Sequence, residues 1–203
     1  MSEPTVVIVP GLRGDAPDHW QERFAARSSG TTTVPFPAAD DWHDIRVRAG
    51  LIGETVAAVD GPVVLVAHSA GVLATVHWVR SCANDSQADA EGPGDGRALV
   101  KVVGAILVTP PDLGVVWPSP HPRSADLSAA GWEPVPRNRL PFPSVLAVSR
   151  DDPLARYRAS AGLAEAWGSR LVDLGDVGHL NPASGFGDWP MLDELLAEFS
   201  SAT

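Results

Sequence analysis

The sequence predicts a doubly wound α/β fold built on a mostly parallel sheet of about six strands. Four short runs rich in β-branched residues, Thr5–Val9, 62–67, Val102–Val108 and Ser144–Val148, are apolar almost throughout rather than alternating. Continuous apolar runs suit strands buried on both faces. Segments with helical spacing separate them, and that alternation brings strands into parallel register beneath helices on both sides. Weaker strand candidates at 31–36 and 170–174 complete the sheet.

The helices follow from spacing and punctuation. Leu192, Leu195, Leu196 and Phe199 keep the i, i+3, i+4, i+7 rule, with Asp188 as the expected N-cap and Pro190 in the first turn. Over 42–59, Ile45, Ile52, Val56 and Val59 share a broad face that Asp60-Gly61 closes. The segment 153–167 reads as another helix, ended by Gly168 in the position glycine favours.

Two stretches break the rhythm. Residues 83–96 are rich in Asp, Gly, Ser and Ala and hold almost nothing to bury, which predicts a mobile surface loop. Residues 109–141 are proline-rich and carry Trp117 and Trp132. A connection of that length is uncommon without a role. Two are open for it: a pocket wall or partial lid, or packing over the sheet.

A chain of 203 residues with 44% apolar content suits one compact domain spanning 1–203, without repeats or a linker. Fifteen basic residues stand against 25 acidic ones, a net charge of -10 scattered along the chain. That balance argues against nucleic acid or an anionic membrane as partner. Met1-Ser2-Glu3-Pro4 shows no signal-peptide pattern, and no apolar run is long enough to span a bilayer. Cys82 is the single cysteine, an incidental thiol that excludes an internal disulfide. A cytoplasmic location is the resulting expectation; the composition assigns no oligomeric state.

The strongest chemical signal is Val63-Val64-Leu65-Val66-Ala67-His68-Ser69-Ala70-Gly71. An apolar strand ends in a tight turn holding a serine, and small residues then open a helix, as in a nucleophile elbow. Ala67 stands where the G-x-S-x-G pattern has its first glycine. A serine before a helix is also an ordinary N-cap, but the preceding strand favours the nucleophile.

A serine hydroxyl is a weak nucleophile until a base removes its proton, so the reading needs a histidine and an orienting acid. His179 lies in a glycine-flanked loop after the last strand candidate, within Val177-Gly178-His179-Leu180-Asn181. His19, His43 and His77 read as helix residues, His121 lies in the long loop, and the His68 side chain is expected to point away from the cleft. The acid comes from Asp151-Asp152-Pro153, after strand Ser144–Val148. Asp152 is preferred and Asp151 reads as a cap or turn residue. Serine, acid and histidine thus follow in the chain order found in α/β-hydrolases.

Acyl transfer also needs donors for an oxyanion. Val9-Pro10-Gly11-Leu12 is a strand followed by a turn, suited to presenting the Leu12 N–H, with the Ala70 N–H as the second donor. Arg13, His19, Trp20 and Trp117 are the candidates for the pocket wall, with simple core packing the alternative for Trp20.

Together Val9-Pro10-Gly11, His19-Trp20-Gln21, His68-Ser69-Ala70-Gly71, Asp151-Asp152-Pro153 and Gly178-His179-Leu180-Asn181 resemble a small serine-hydrolase family along nearly the whole chain. That family includes bacterial YdeN-like proteins and the vertebrate retinoblastoma-binding serine hydrolase. Gly185-Phe186-Gly187-Asp188-Trp189-Pro190 resembles the bacterial members. The resemblance implies a compact α/β-hydrolase without a large cap domain, a triad on Ser69, Asp152 and His179, and carboxylesterase-type activity on small acyl esters. Ala67 and the 83–96 insertion are its departures.

The expectation is therefore a serine hydrolase acting on a small-molecule ester through an acyl-enzyme, with neither cofactor nor metal. The alternative is a hydrolase-like scaffold that binds a protein or small molecule. A nucleotide-binding protein would need a G-x-x-x-x-G-K-[ST] loop or a G-x-G-x-x-G turn after a strand, and neither pattern is present. No histidine–carboxylate pair has metal-ligand spacing on one helix face, and one cysteine cannot build a structural zinc site.

Overall fold

The computed structural model describes residues 3–12, 16–38, 41–88 and 96–200. Its sheet has six parallel strands in the order β2-β1-β3-β4-β5-β6: β1 Thr5–Val9, β2 Thr31–Thr33, β3 Val63–His68, β4 Val102–Val108, β5 Ser144–Val148 and β6 Arg170–Asp173. Because side chains alternate along a strand, the buried runs feed two separate cores. Val7, Val9, Leu65, Ala67, Leu107, Leu146 and Val148 face one side, and Val6, Ile8, Val64, Val66, Ile106, Val108 and Ala147 face the other.

The helices divide between those faces. The first core takes α2 (Ile45–Ala58), α3 (Ala70–Ala88) and α6 (Tyr157–Trp167), through Ile52, Val56, Leu73, Trp78, Leu163 and Trp167. The second takes α1 (Trp20–Arg27) and α7 (Met191–Ser200), through Trp20, Phe24, Leu192, Leu195 and Phe199. From β1 the chain runs outward to β2 and then returns across the sheet to β3. The carboxyl ends of β1 and β3 therefore flank the topological switch point, where ligands bind in doubly wound sheets.

Several helix ends differ from the sequence expectation. α2 begins at Ile45 because Asp44 caps it, its carboxylate accepting the Arg46 N–H at 2.8 Å. α6 begins at Tyr157, since 153–156 forms a turn in which the Asp152 carboxylate accepts the Leu154 N–H at 2.8 Å. Asp188 is not the cap of α7; its carboxylate reaches Arg23 at 3.2 Å instead. Gly168 does end α6, at φ 68°.

The predicted surface loop at 83–96 is corrected in part. Residues 83–88 continue α3, Gly96 opens the short α4 (Gly96–Leu99), and 89–95 lie outside the described residues. Once a helix is nucleated each further residue adds a hydrogen bond, so a helix can extend into a polar stretch such as this one. The long connection at 109–141 holds α5 (Ser124–Leu127) and a tight turn at Ser128–Trp132. It packs over the sheet through Leu127, Trp132 and Leu140, and it also lines the cleft through Trp117 and His121.

Gly71 allows the elbow helix to sit directly on β1. A Cβ there would lie 2.4 Å from the Val9 carbonyl oxygen and 2.7 Å from that of Pro10. Both obstacles are backbone and cannot rotate aside. Gly71→Ala is expected to destabilise the fold by about 3 kcal/mol, the upper end of ordinary overpacking. For a chain this long that lowers Tm by roughly 6–12 °C. Gly50→Ala is the control: nothing lies within 4 Å of its Cβ, so helix propensity alone raises stability slightly. Equal melting temperatures for the two variants would remove the close-approach argument.

Candidate active site

The turn after β3 sets Ser69 at φ 56°, a left-handed backbone that costs a non-glycine residue about 1 kcal/mol or more. The surroundings hold it there. Its N–H donates to the Val108 carbonyl at 2.9 Å, and its own carbonyl accepts the Val72 N–H at 3.0 Å. The conformation turns the side chain out of the buried strand, and the half-buried Ser69 lines a cleft of about 210 Å³.

Ser69 Oγ lies 2.8 Å from His179 Nε2. On the far side of the ring, His179 Nδ1 lies 2.8 Å and 3.0 Å from the two oxygens of Asp152. An ionised carboxylate only accepts, so Nδ1 carries the proton and Nε2 is free to accept from the serine. The two side chains are almost fully enclosed, with exposures of 5% for His179 and 2% for Asp152. Shielding from water strengthens such a contact.

Asp151, the neighbouring carboxylate, has a different task. Its Oδ1 accepts the Gly178 N–H at 2.7 Å and the Ser149 hydroxyl at 2.8 Å, joining the loop after β5 to the loop that carries His179. Those donors hold its carboxyl below the ordinary aspartate range, the Gly178 N–H most of all. The His179 backbone is anchored at both ends. Its N–H donates to Ser184 Oγ at 3.0 Å, and its carbonyl accepts the His68 Nε2–H at 3.0 Å. Gly178 precedes it at φ 58°, where a Cβ would lie 2.5 Å from Ser184 Oγ.

His68 was expected to point away from the cleft, and the structure corrects this. Its ring lies 5.0 Å from that of His179 and 4.6 Å from that of His19, and all three line the cleft. His19 caps α1, its Nδ1 accepting the Gln21 N–H at 3.2 Å. Of the two readings open for Trp20, core packing is the one the structure shows. It is a core residue rather than pocket wall, donating its indole N–H to the Leu180 carbonyl at 2.9 Å and packing edge-on against Trp189. Trp117 lines the cleft as expected, and Arg13 lies outside the described residues. Leu12 lines the cleft, and Ala70 is buried directly behind the serine.

Gln21 gave no signal in the sequence beyond following His19-Trp20. It is buried, lines the cleft, and donates from Nε2 to Val66 O at 3.1 Å and Val9 O at 3.3 Å, tying β3 to β1 near their carboxyl ends. Leu154, His121 and Asn181 join the lining.

Burial makes two of these histidines hard to charge. His19 is lowered to about 4 by desolvation first and by His179 second. His68 is lowered well below 6.5 for the same two reasons, with His19 adding to them. In the unfolded chain both titrate near the ordinary 6.5, so below that pH the unfolded state takes up protons first. Their stabilisation is therefore complete above about pH 6.5 and erodes as pH falls toward 4. Urea midpoints measured from pH 7.5 down to 4.5 are expected to drop, by a few kcal/mol in unfolding free energy at about 1.4 kcal/mol per pKa unit. A flat profile over that range would remove the effect assigned to the cluster.

Among the described residues no group of three or more His, Cys, Asp or Glu is placed to hold a metal ion, and no helix is long and apolar enough to cross a membrane. The fold matches solved structures over nearly its whole length. A YdeN-like hydrolase from Pectobacterium atrosepticum is 27% identical with a TM-score of 0.74, the match covering 98% of this chain and 92% of that one. The ydeN gene product of B. subtilis is 19% identical at a TM-score of 0.54, covering 98% and 99%. A thermophilic esterase from Thermogutta terrifontis is 14% identical at 0.59, covering 98% and 91%. No curated protein sequence matches this one. The serine hydrolase family matches residues 6–198, and with its α/β-hydrolase fold the chain belongs to that family of hydrolases.

Proposed function

We propose that this hydrolase cleaves small acyl esters, in the manner of a carboxylesterase, through a Ser69–His179–Asp152 triad and an acyl-enzyme on Ser69. The observation that carries the reading is the unbroken hydrogen-bonded line from Ser69 Oγ through both ring nitrogens of His179 to Asp152. Ser69 Oγ attacks the ester carbonyl as Nε2 takes its proton, and Asp152 steadies the imidazolium. The Leu12 and Ala70 N–H groups receive the oxyanion. Collapse of the adduct breaks the ester C–O bond, and His179 returns the proton to the departing alcohol. Water, deprotonated by the same ring, then releases the acid and restores the serine.

The cleft supports a small substrate. Its walls are largely apolar, with Leu12, Pro111, Trp117 and Leu154 around the serine, and its volume of about 210 Å³ suits a short acyl group. The esterase activity of the Thermogutta relative is in keeping with this choice. The test is hydrolysis of nitrophenyl acetate, butyrate and decanoate by the purified protein. A stoichiometric burst of nitrophenolate followed by slower turnover marks an acyl-enzyme, and the short esters should lead. Folded protein that turns over none of them would overturn the reading and leave the ligand-binding scaffold in its place.

A further inference from the structure

Arg48, on the face of α2 toward β1, is buried with 5% exposure, an expensive place for a cation. Burial lowers its pKa only to about 10, so it remains charged at neutral pH. An aliphatic side chain would hold α2 against the sheet without that cost, so packing alone does not account for an arginine here. Its polar contacts run to main-chain carbonyls. Nη2 donates to Pro10 O and to Gly11 O, each at 2.9 Å, and Nη1 lies 3.4 Å from Trp42 O. The guanidinium also lies 5.2 Å from the centre of the Phe36 ring.

Pro10 and Gly11 form the turn that leads into Leu12. In a trans peptide the carbonyl and the following N–H point in opposite directions. Fixing the Gly11 carbonyl on Arg48 therefore fixes the direction of the Leu12 N–H, away from the guanidinium. The side of Gly11 where a Cβ would stand faces Ser69, 3.2 Å from its Cβ and 3.6 Å from its Oγ, and Leu12 itself lines the cleft. Glycine makes the Gly11–Leu12 peptide easy to flip, because it accepts backbone angles closed to other residues. A flipped peptide would present a carbonyl oxygen where the oxyanion needs a donor.

We propose that Arg48 is a positioning residue that aims the Leu12 N–H into the oxyanion site. The assignment rests on the hydrolytic reading above. It differs from a purely structural role because it acts on the tetrahedral transition state more than on the bound ester. One oxyanion donor is worth about 10²–10³ in kcat, and a donor that is misaimed part of the time loses a share of it.

The test compares the full-length wild type with Arg48→Met, Arg48→Lys and Arg48→Ala on nitrophenyl acetate, with thermal melts alongside. Arg48→Met should lose roughly 30- to 300-fold in kcat, while KM and the pH at which kcat rises stay close to wild type. Arg48→Lys keeps a buried cation with a single point of donation and should fall between the two. Arg48→Ala leaves a guanidinium-sized void, so tens of millimolar guanidinium chloride should restore kcat where the same concentration of sodium chloride does not. If Arg48→Met fails to fold, the lysine variant and the guanidinium rescue decide. An active wild type beside a folded Arg48→Met of equal kcat overturns the assignment alone. So does a folded Arg48→Ala that guanidinium does not rescue. A wild type without ester turnover overturns the hydrolytic reading and this assignment with it.

Discussion

Ser69→Ala is expected to lower kcat for nitrophenyl acetate by roughly 10⁴- to 10⁶-fold, the range over which removing the nucleophile of a triad acts. Alanine adopts the left-handed backbone of the elbow at a cost similar to that of serine, and the deleted hydroxyl bonds outward to His179 Nε2. The variant should therefore melt close to wild type, which separates lost chemistry from lost fold. Fluorophosphonate labelling, which requires the activated hydroxyl, should vanish in the same variant. A residual rate above the water reaction is expected, because the cleft and the oxyanion donors remain. A Ser69→Ala protein that retains a substantial fraction of wild-type turnover would move the nucleophile elsewhere.

Asp152→Asn and Asp151→Asn should differ by roughly 10³-fold or more in kcat although the residues are adjacent. An amide opposite His179 Nδ1 no longer requires a proton on that nitrogen. Part of the population then carries its hydrogen on Nε2, where it faces Ser69 and cannot accept. At Asp151 the partners are donors only, the Gly178 N–H and the Ser149 hydroxyl. An asparagine Oδ1 can still accept both, so Asp151→Asn should stay within a few-fold of wild type and lose modest stability. Steady-state kinetics on the two folded variants is sufficient, and the reverse order of damage would transfer the acid role to Asp151.

The parts of the fold that could be read from the sequence are those set by hydrophobic pattern and turn chemistry. Thr5–Val9, Val102–Val108 and Ser144–Val148 are strands with the expected bounds because both of their faces are buried. Ser69, Asp152 and His179 stand out in the sequence because each lies in a recognisable turn or loop after a strand, and the structure brings their side chains into contact.

What escaped the sequence depends on partners distant along the chain. Asp188 looked like a cap because it precedes a proline and a helical pattern, but Arg23, 165 positions away, takes it. Trp20 could not be placed from position alone, since the Leu180 carbonyl that receives its indole N–H is 160 positions away. His68 and Gln21 contact the backbone of elements whose proximity depends on sheet order. Arg48 carries no signal in its helical pattern, because the carbonyls that receive it lie in the turn after β1, 37 and 38 positions away.

The sheet order also separates the reacting groups along the chain. Ser69 and the Leu12 turn follow β3 and β1, whereas Asp152 and His179 lie in the loops after β5 and β6. During synthesis the first half emerges with an unassisted alcohol, no more reactive than any other serine. On the proposed reading, hydrolytic competence waits for the segment bearing residue 179, which reaches back from β6 to Ser69 and His68 at the end of β3. A ribosome-bound fragment that stops short of it carries Ser69 but lacks α7 and its share of the second core, and on the proposed reading it is expected to be silent toward the esters of its surroundings.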